Sequence, residues 1–529
     1  MRLSTWLPAF GVALIMPSAA IAAEGPIYTY TPPIHSIARP PEPKPLLTWE
    51  YNKKPATFRY NVTTASDTNW IGVFYSFGGV PVNGTKSMDP LTWDYAKGKE
   101  GEVRLNASKL GQGSYKAILM ADDTYEAIAP PVSFNTAEKT NVRYYTYKMN
   151  LRPAREGEYW SFDASKMTNI EGDDENLYYL VYSSGDGWVH STHTGILYGT
   201  PTKKSRRKTS LAVKVMGRNK LSYFMEAVVE VRGPDVPMVK ELKVMSMNLW
   251  YGGTQVKDYH AKQVKVINQL NADIVGLQET DGIHALRLAH ALGWWAYESW
   301  DASIISRYPI VEALDSTNKT AAVRIALDGD KQQVIVWGAH LGFQQYGPYG
   351  FCFEGKDNKT VMQQEDDSGR TAEAQELSDA IKPYINGSDT VPVLLTGDFN
   401  SPSHLDYTEA TKDMHCGAGE MQWPSSWYPV QAGMKDSFRE AHPDPVADPG
   451  YTWSPIFLNN PDYDDKPEPK DRIDFVYYAG AMRVKESVAY MIDDPPPKPE
   501  PKQKDNFWTS DHYAVVTTFE MLDKALGKS

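Results

Sequence analysis

The chain has 529 residues, 41% of them apolar and 12% aromatic, with a formal net charge of −12. Single hydrophobic cores stop growing near about 250–300 residues, so two to four domains are expected, and the composition excludes a disordered, fibrous or polytopic membrane chain. The acidic balance argues against tight non-specific nucleic-acid binding through a basic face; it leaves a nuclease open, because a bound divalent cation offsets charge at a scissile phosphate.

Residues 1–22 read as a secretory signal, with Arg2 as the positive end, an apolar run from Trp6 to Met16, and Ala20-Ile21-Ala22 as a small-x-small cleavage site. The run is too short to cross a bilayer. Export and release are expected, with a membrane anchor as the competing reading. Six Asn-x-Ser/Thr sequons, at Asn61, Asn83, Asn106, Asn318, Asn358 and Asn386, agree with an exported glycoprotein. The two cysteines, Cys352 and Cys416, suit one disulfide in an oxidising compartment, or two buried thiols.

Residues 23–45 are Pro-rich and read as an extended linker. Residues 46–137 carry short alternating runs, among them Thr57 to Val62, Trp70 to Tyr75 and Tyr115 to Met120, separated by Gly, Asn and Asp. That pattern predicts a small antiparallel β-sandwich. Residues 140–235 repeat the style and predict a second one, ended by the break at Gly233 to Pro237. From residue 241 to 521 the pattern changes. Apolar strand-like runs such as Leu242 to Met247 alternate with helical spacings, for example Tyr259, Gln263, Ile267, Leu270 and Ala374, Leu377, Ala380, Ile381. An α/β domain is expected there. Two acidic Pro-rich insertions, 461–470 and 493–504, read as mobile surface loops.

Six segments of this last region each place a polar residue at the end of an apolar strand. They are Met247-Asn248-Leu249-Trp250, Leu277-Gln278-Glu279-Thr280, Gly338-Ala339-His340-Leu341, Thr396-Gly397-Asp398-Phe399-Asn400, Arg472-Ile473-Asp474-Phe475 and Ser510-Asp511-His512. Carboxylates and carboxamides at strand ends can converge on one crevice, where hard cations take oxygen ligands. Singly each is weak, since a lone Asp is more often a cap and a lone His more often a satisfied core residue. Six in order over one domain are specific.

On these motifs the region 241–521 resembles the endonuclease/exonuclease/phosphatase superfamily, with the deoxyribonuclease I-like fold. The resemblance implies a four-layered α/β sandwich for this region, so the expected fold is the two N-terminal all-β domains read from the strand pattern followed by that sandwich. It implies Glu279 as the main metal ligand with Asn248 beside it and Asp511 near the metal, the cation being Mg²⁺ or, alternatively, Mn²⁺ or Ca²⁺. Asp398 would orient or deprotonate the attacking water, and Asn400 would hold that water or the phosphate. Asp474 would fix the tautomer of His512, which contacts the phosphate or transfers a proton; His340 would donate to a phosphoryl oxygen or the leaving group. The presence of His340 disfavours the abasic-site repair branch. The expected function is a secreted metal-dependent phosphodiesterase acting on nucleic acid or phospholipid. A phosphomonoesterase and a non-catalytic adhesion protein are the alternatives.

Several signals stay open. His190 and His193 have metal-like spacing without a third ligand, the basic run 203–208 is an anion patch or a solvated hairpin tip, and the aromatics Phe343, Tyr346, Tyr349, Phe351 and Phe353 either pack as a satellite core or line the substrate entrance.

Overall fold

The computed structural model describes residues 46–526 apart from short internal stretches, the longest being 136–141 and 171–176. The signal sequence, the Pro-rich linker and Asn83 lie outside the described residues.

The N-terminal half is β-rich. The alternating runs form strands because their apolar positions fall on one face. Leu46–Trp49, Thr57–Ser66 and Gly98–Arg104 make one antiparallel sheet, and Thr92–Tyr95, Trp70–Tyr75, Ser114–Met120 and Val132–Asn135 make another. Phe58, Tyr60 and Val103 from the first meet Val73, Ala117, Leu119 and Phe134 from the second in one core. Farther on, Tyr178–Ser183, Lys208–Met216, Ser222–Arg232 and Lys148–Arg155 form a four-stranded sheet over a separate core around Trp160, Phe162, Val213 and Met225.

Beyond residue 240 lie two six-stranded sheets. The first runs Trp295–Tyr297, Ser303–Ser306, Ile274–Gln278, Glu241–Asn248, Ala514–Met521, Met482–Tyr490. The second runs Ile310–Ala313, Thr320–Ala326, Gln333–His340, Val393–Asp398, Asp474–Ala479, Lys435–Asp436. Their inner faces bury Val244, Ile274 and Phe519 against Val336, Leu394 and Val476. Helices Tyr259–Leu270 and His284–Leu292 cover the outer face of the first through Val264, Ile267 and Leu288. Helix Arg370–Ile385 covers the second through Ala374, Leu377 and Ile381. These four layers, helix, sheet, sheet and helix, are the deoxyribonuclease I-like arrangement.

The two sheets approach closely where Gly276 faces Thr396. At Gly276 an added Cβ would lie 1.8 Å from Thr396 Oγ1, so only glycine permits that approach. The insertions are less loose than expected. Glu468 is buried and accepts from Tyr349 and Trp453, and the buried Asn506 side chain accepts from Lys498 N and donates to the Lys498 carbonyl, so each insertion is anchored by a polar side chain that folding takes out of water.

Candidate active site

All eight residues singled out in the sequence sit at one end of the two sheets. Asp398 ends the central strand of the second sheet, with His340 and Asp474 opposite it on the flanking strands. Asn248 ends the central strand of the first sheet, and its side-chain amide donates to Glu279 Oε1 at 3.1 Å and to Asp398 Oδ2 at 3.0 Å. Asn248 thus ties the two sheets together at the site.

The turn geometry that delivers these groups is unusual. Glu279, Trp250, Tyr251 and Asn400 all have positive φ, between 49° and 59°. Each such non-glycine position costs on the order of 1–3 kcal/mol and persists only where the surroundings enforce it. Here they are enforced by hydrogen bonds: Tyr251 N donates to Glu279 Oε2 at 2.5 Å and Asn400 N to Asp398 Oδ1 at 2.8 Å. The Asn400 side-chain amide donates to the Leu341 carbonyl, leaving its oxygen for other work.

Two imidazoles flank Asp398. Nε2 of His340 and Nε2 of His512 each lie 3.6 Å from Asp398 Oδ2. Behind each ring stands a carboxylate: His512 Nδ1 bonds Asp474 Oδ2 at 2.8 Å, and His340 Nδ1 bonds Asp301 at 2.9 Å. Burial alone would lower the pKa of both histidines. For His512 the charges of Asp474 and Asp398 outweigh burial and raise it well above the usual imidazole value. For His340 the bond to Asp301 and the charge of Asp398 do the same. Both rings therefore favour the protonated, donating form. Trp453 packs on His512 with ring centroids 4.9 Å apart, and Ser510 Oγ holds the turn by donating to the Asn248 carbonyl.

Asp301 escaped the sequence reading. It precedes strand Ser303–Ser306 in a polar loop, 39 residues from its imidazole, with nothing local to mark it. The carboxylate in Ser299-Trp300-Asp301, immediately ahead of a strand-like run, was the available signal.

The donor set fits a hard cation. Asp511 is buried, its Oδ1 has no hydrogen-bond partner, and burial reinforced by the charge of Glu279 pushes its pKa up to about 7. A carboxylate in that state gains from a nearby positive charge. Asn248 Oδ1 accepts from Trp250 N and retains a lone pair. Asp398, Asp474 and His512 offer another set, with ligand atoms within 4.8 Å of one another.

A family model described as Endonuclease/Exonuclease/phosphatase matches residues 245–512, the span that carries every one of these groups. The chain belongs to the endonuclease/exonuclease/phosphatase family. An uncharacterized protein of Caenorhabditis elegans is 32% identical over 291 residues, which are 53% of this chain and 92% of that relative. Among solved structures, truncated Caenorhabditis elegans TDP2 aligns at 18% identity and TM-score 0.34, covering 53% of this chain and 97% of its own. The 3'-5' exonuclease NExo of Neisseria meningitidis aligns at 17% identity and TM-score 0.34, covering 53% and 100%.

Of the other open signals, the histidine pair and most of the aromatic segment find structural partners. His193 Nε2 is paired with the Tyr178 hydroxyl at 2.7 Å on a surface hairpin. Lys203 and Lys204 are exposed at a turn. In the aromatic segment, Tyr346 donates to Asp471, Tyr349 to Glu468, and Phe351 packs on Trp423, so these three are packing residues. Phe343 alone stands out, 70% exposed. One disulfide joins Cys352 to Cys416.

Proposed function

We propose that the chain is an exported, divalent-metal-dependent phosphodiesterase that hydrolyses its substrate by direct attack of water. The observation that carries this reading is the pair of carboxylate–imidazole dyads placed symmetrically about Asp398. A phosphodiester carries one negative charge and has two ester oxygens; protonated His340 and His512 supply donors on both sides of the group Asp398 faces. Asp398 accepts the proton of the attacking water as the new P–O bond forms. One imidazole donates a proton to the departing alkoxide as the old P–O bond breaks, and Asp301 and Asp474 hold the rings in the orientation this needs. Glu279, Asp511 and Asn248 would hold the cation, which when bound draws charge from the phosphoryl oxygens. No serine or cysteine nucleophile is required.

Export rests on the residue pattern of 1–22, and on Asn106, Asn318, Asn358 and Asn386, which are all exposed. The separation of the N-terminal half into β-units at 46–137 and 140–235 belongs to the same reading. An adhesion protein that keeps the fold without the chemistry is disfavoured, because every proposed catalytic position carries a functional group. The test compares bis-(p-nitrophenyl) phosphate with p-nitrophenyl phosphate at saturating Mg²⁺. The diester is expected to turn over at least tenfold faster; a faster monoester would assign the chain to phosphatase chemistry.

A further inference from the structure

Arg370, the first residue of helix Arg370–Ile385, is fully buried and spends all of its N–H donors inside the protein. Nη1 donates to the carbonyls of Gly342 and Gln344 at 2.7 and 2.6 Å, and Nη2 to that of Gln345 at 2.8 Å. Nε and the remaining Nη2 proton go to Glu365, which is fully buried in helix Asn358–Asp367. In the first turn of the same helix as Arg370, Glu373 accepts from the N–H of Gly342 at 2.8 Å. The segment that follows His340 is thereby gripped through its carbonyls and through an amide.

Glu365 also reaches the other side of the site. Its Oε2, which accepts from Arg370 Nε at 3.0 Å, accepts from the buried hydroxyl of Ser401 at 3.1 Å. Ser401 is the residue after Asn400. The two gripped segments meet at the site, where Asn400 Nδ2 donates to the Leu341 carbonyl at 3.0 Å. Leu341 N donates to the Asp398 carbonyl, and Asn400 N to the Asp398 carboxylate. Asn400 at φ 49° and Gln345 at φ 52° hold positions that their surroundings must enforce.

Stability alone is a poor account of this buried pair. The desolvation penalty of a guanidinium and a carboxylate is comparable to their attraction, and well-packed apolar side chains in their place are often neutral. Apolar side chains could not fix the spacing of two loops through directional bonds, as the planar fork of an arginine does. We infer that Arg370 and Glu365 are positioning residues for the reaction: together they set the segment after His340 against the turn after Asn400, and so hold the Leu341 carbonyl where it fixes the Asn400 carboxamide beside Asp398. Neither residue meets the substrate; both act through Asn400. The inference rests on the phosphodiesterase reading for the reaction and on the hydrogen-bond geometry for the coupling.

Arg370→Lys keeps the charge but replaces the fork with a single ammonium that has fewer donors, so the grip loosens. The test measures kcat and KM of the full chain on bis-(p-nitrophenyl) phosphate for Arg370→Lys, Ser401→Ala and Asn400→Ala, and for each of the first two combined with the third. Arg370→Lys should lower kcat by on the order of tenfold with KM within about twofold, and Ser401→Ala should lower it less. Neither should lower kcat further in the Asn400→Ala background, because residues that act through one another are not additive. Losses that multiply in that background, a raised KM with unchanged kcat, or wild-type kcat in both single variants would overturn the assignment. If Arg370→Lys does not fold, Ser401→Ala decides by the same criteria. Hydrogen exchange supplies a readout independent of turnover: in Arg370→Lys, deuterium uptake should rise across Phe399 to Ser401 as well as across Gly342 to Gln345. A rise confined to the second segment would overturn the coupling. Absence of turnover in the wild type would instead strike the hydrolase reading, and exchange would then decide the positioning role.

Discussion

Asp398 occupies the point where the two halves of the site meet: Asn248, His340 and His512 all approach its Oδ2. Its replacement by Asn removes the proton acceptor and keeps the shape. Removing a positioned acid or base costs on the order of 10²–10⁴ in rate, so Asp398→Asn, His340→Ala and His512→Ala should each lose that much kcat with little change in Tm. Asp474→Asn and Asp301→Asn act through an imidazole and should lose less; near-wild-type turnover in either of the two histidine variants would remove that ring from the mechanism. The residues of the last region were legible in the sequence because an apolar strand running into a single polar group is a local pattern. Asp301 was not, because its meaning lies in a partner brought to it by strand pairing. The aromatic cluster after His340 could not be divided by sequence either: the hydroxyls of Tyr346 and Tyr349 find buried carboxylates, Asp471 and Glu468, contributed by chain more than a hundred residues away.

At the level of elements, helix Tyr259–Leu270 carries a half-buried histidine, His260, that makes stability depend on pH. His260 packs edge-on against Tyr145, and burial, helped by the charges of Arg287, His284 and His290, lowers its pKa to about 4. The unfolded chain takes up this proton near pH 6.5 and the folded chain only near pH 4. Stability is therefore complete above pH 6.5 and falls as the pH drops from 6.5 through 4, by up to about 3 kcal/mol from this group. The Tm of His260→Gln should show a shallower decline over that window than wild type, as measured by thermal melts; parallel curves would show that the ring titrates normally. The disulfide acts on another pair of elements. Cys352 ends helix Gly347–Cys352 and Cys416 follows the turn at Lys412–Met414, a separation of 64 residues. Closing a loop of that length stabilises by roughly 2–5 kcal/mol. Denaturant unfolding of Cys352→Ala/Cys416→Ala should show a loss in that range, and an unchanged midpoint would make the bond incidental to the fold. The helices at Tyr259 and Arg370 were readable from their 3.6-residue apolar spacing. The close approach at Gly276 was not, since a glycine inside an apolar run says nothing of which strand will cross it.

Across the whole molecule, polar contacts fasten the β-rich half to the catalytic region. Arg155 is buried, donates to the carbonyls of Gly233, Pro234 and Val236, and pairs with Asp328. Asn268 reaches Thr146 and the Lys148 carbonyl. The change of pattern near residue 240 was visible in the sequence; these contacts were not, because none has a local signature. What the assembled molecule presents at one end is a family fold with carboxylates, imidazoles and a carboxamide gathered around Asp398. The most direct test of its function is the turnover of bis-(p-nitrophenyl) phosphate by protein stripped with a chelator, before and after Mg²⁺ is restored, beside Glu279→Gln. Stripped protein should be inactive, Mg²⁺ should restore it, and Glu279→Gln should need a higher Mg²⁺ concentration to reach a lower rate. Full activity in the stripped protein, or none in the wild type with Mg²⁺, Mn²⁺ or Ca²⁺, would contradict a metal-dependent phosphodiesterase.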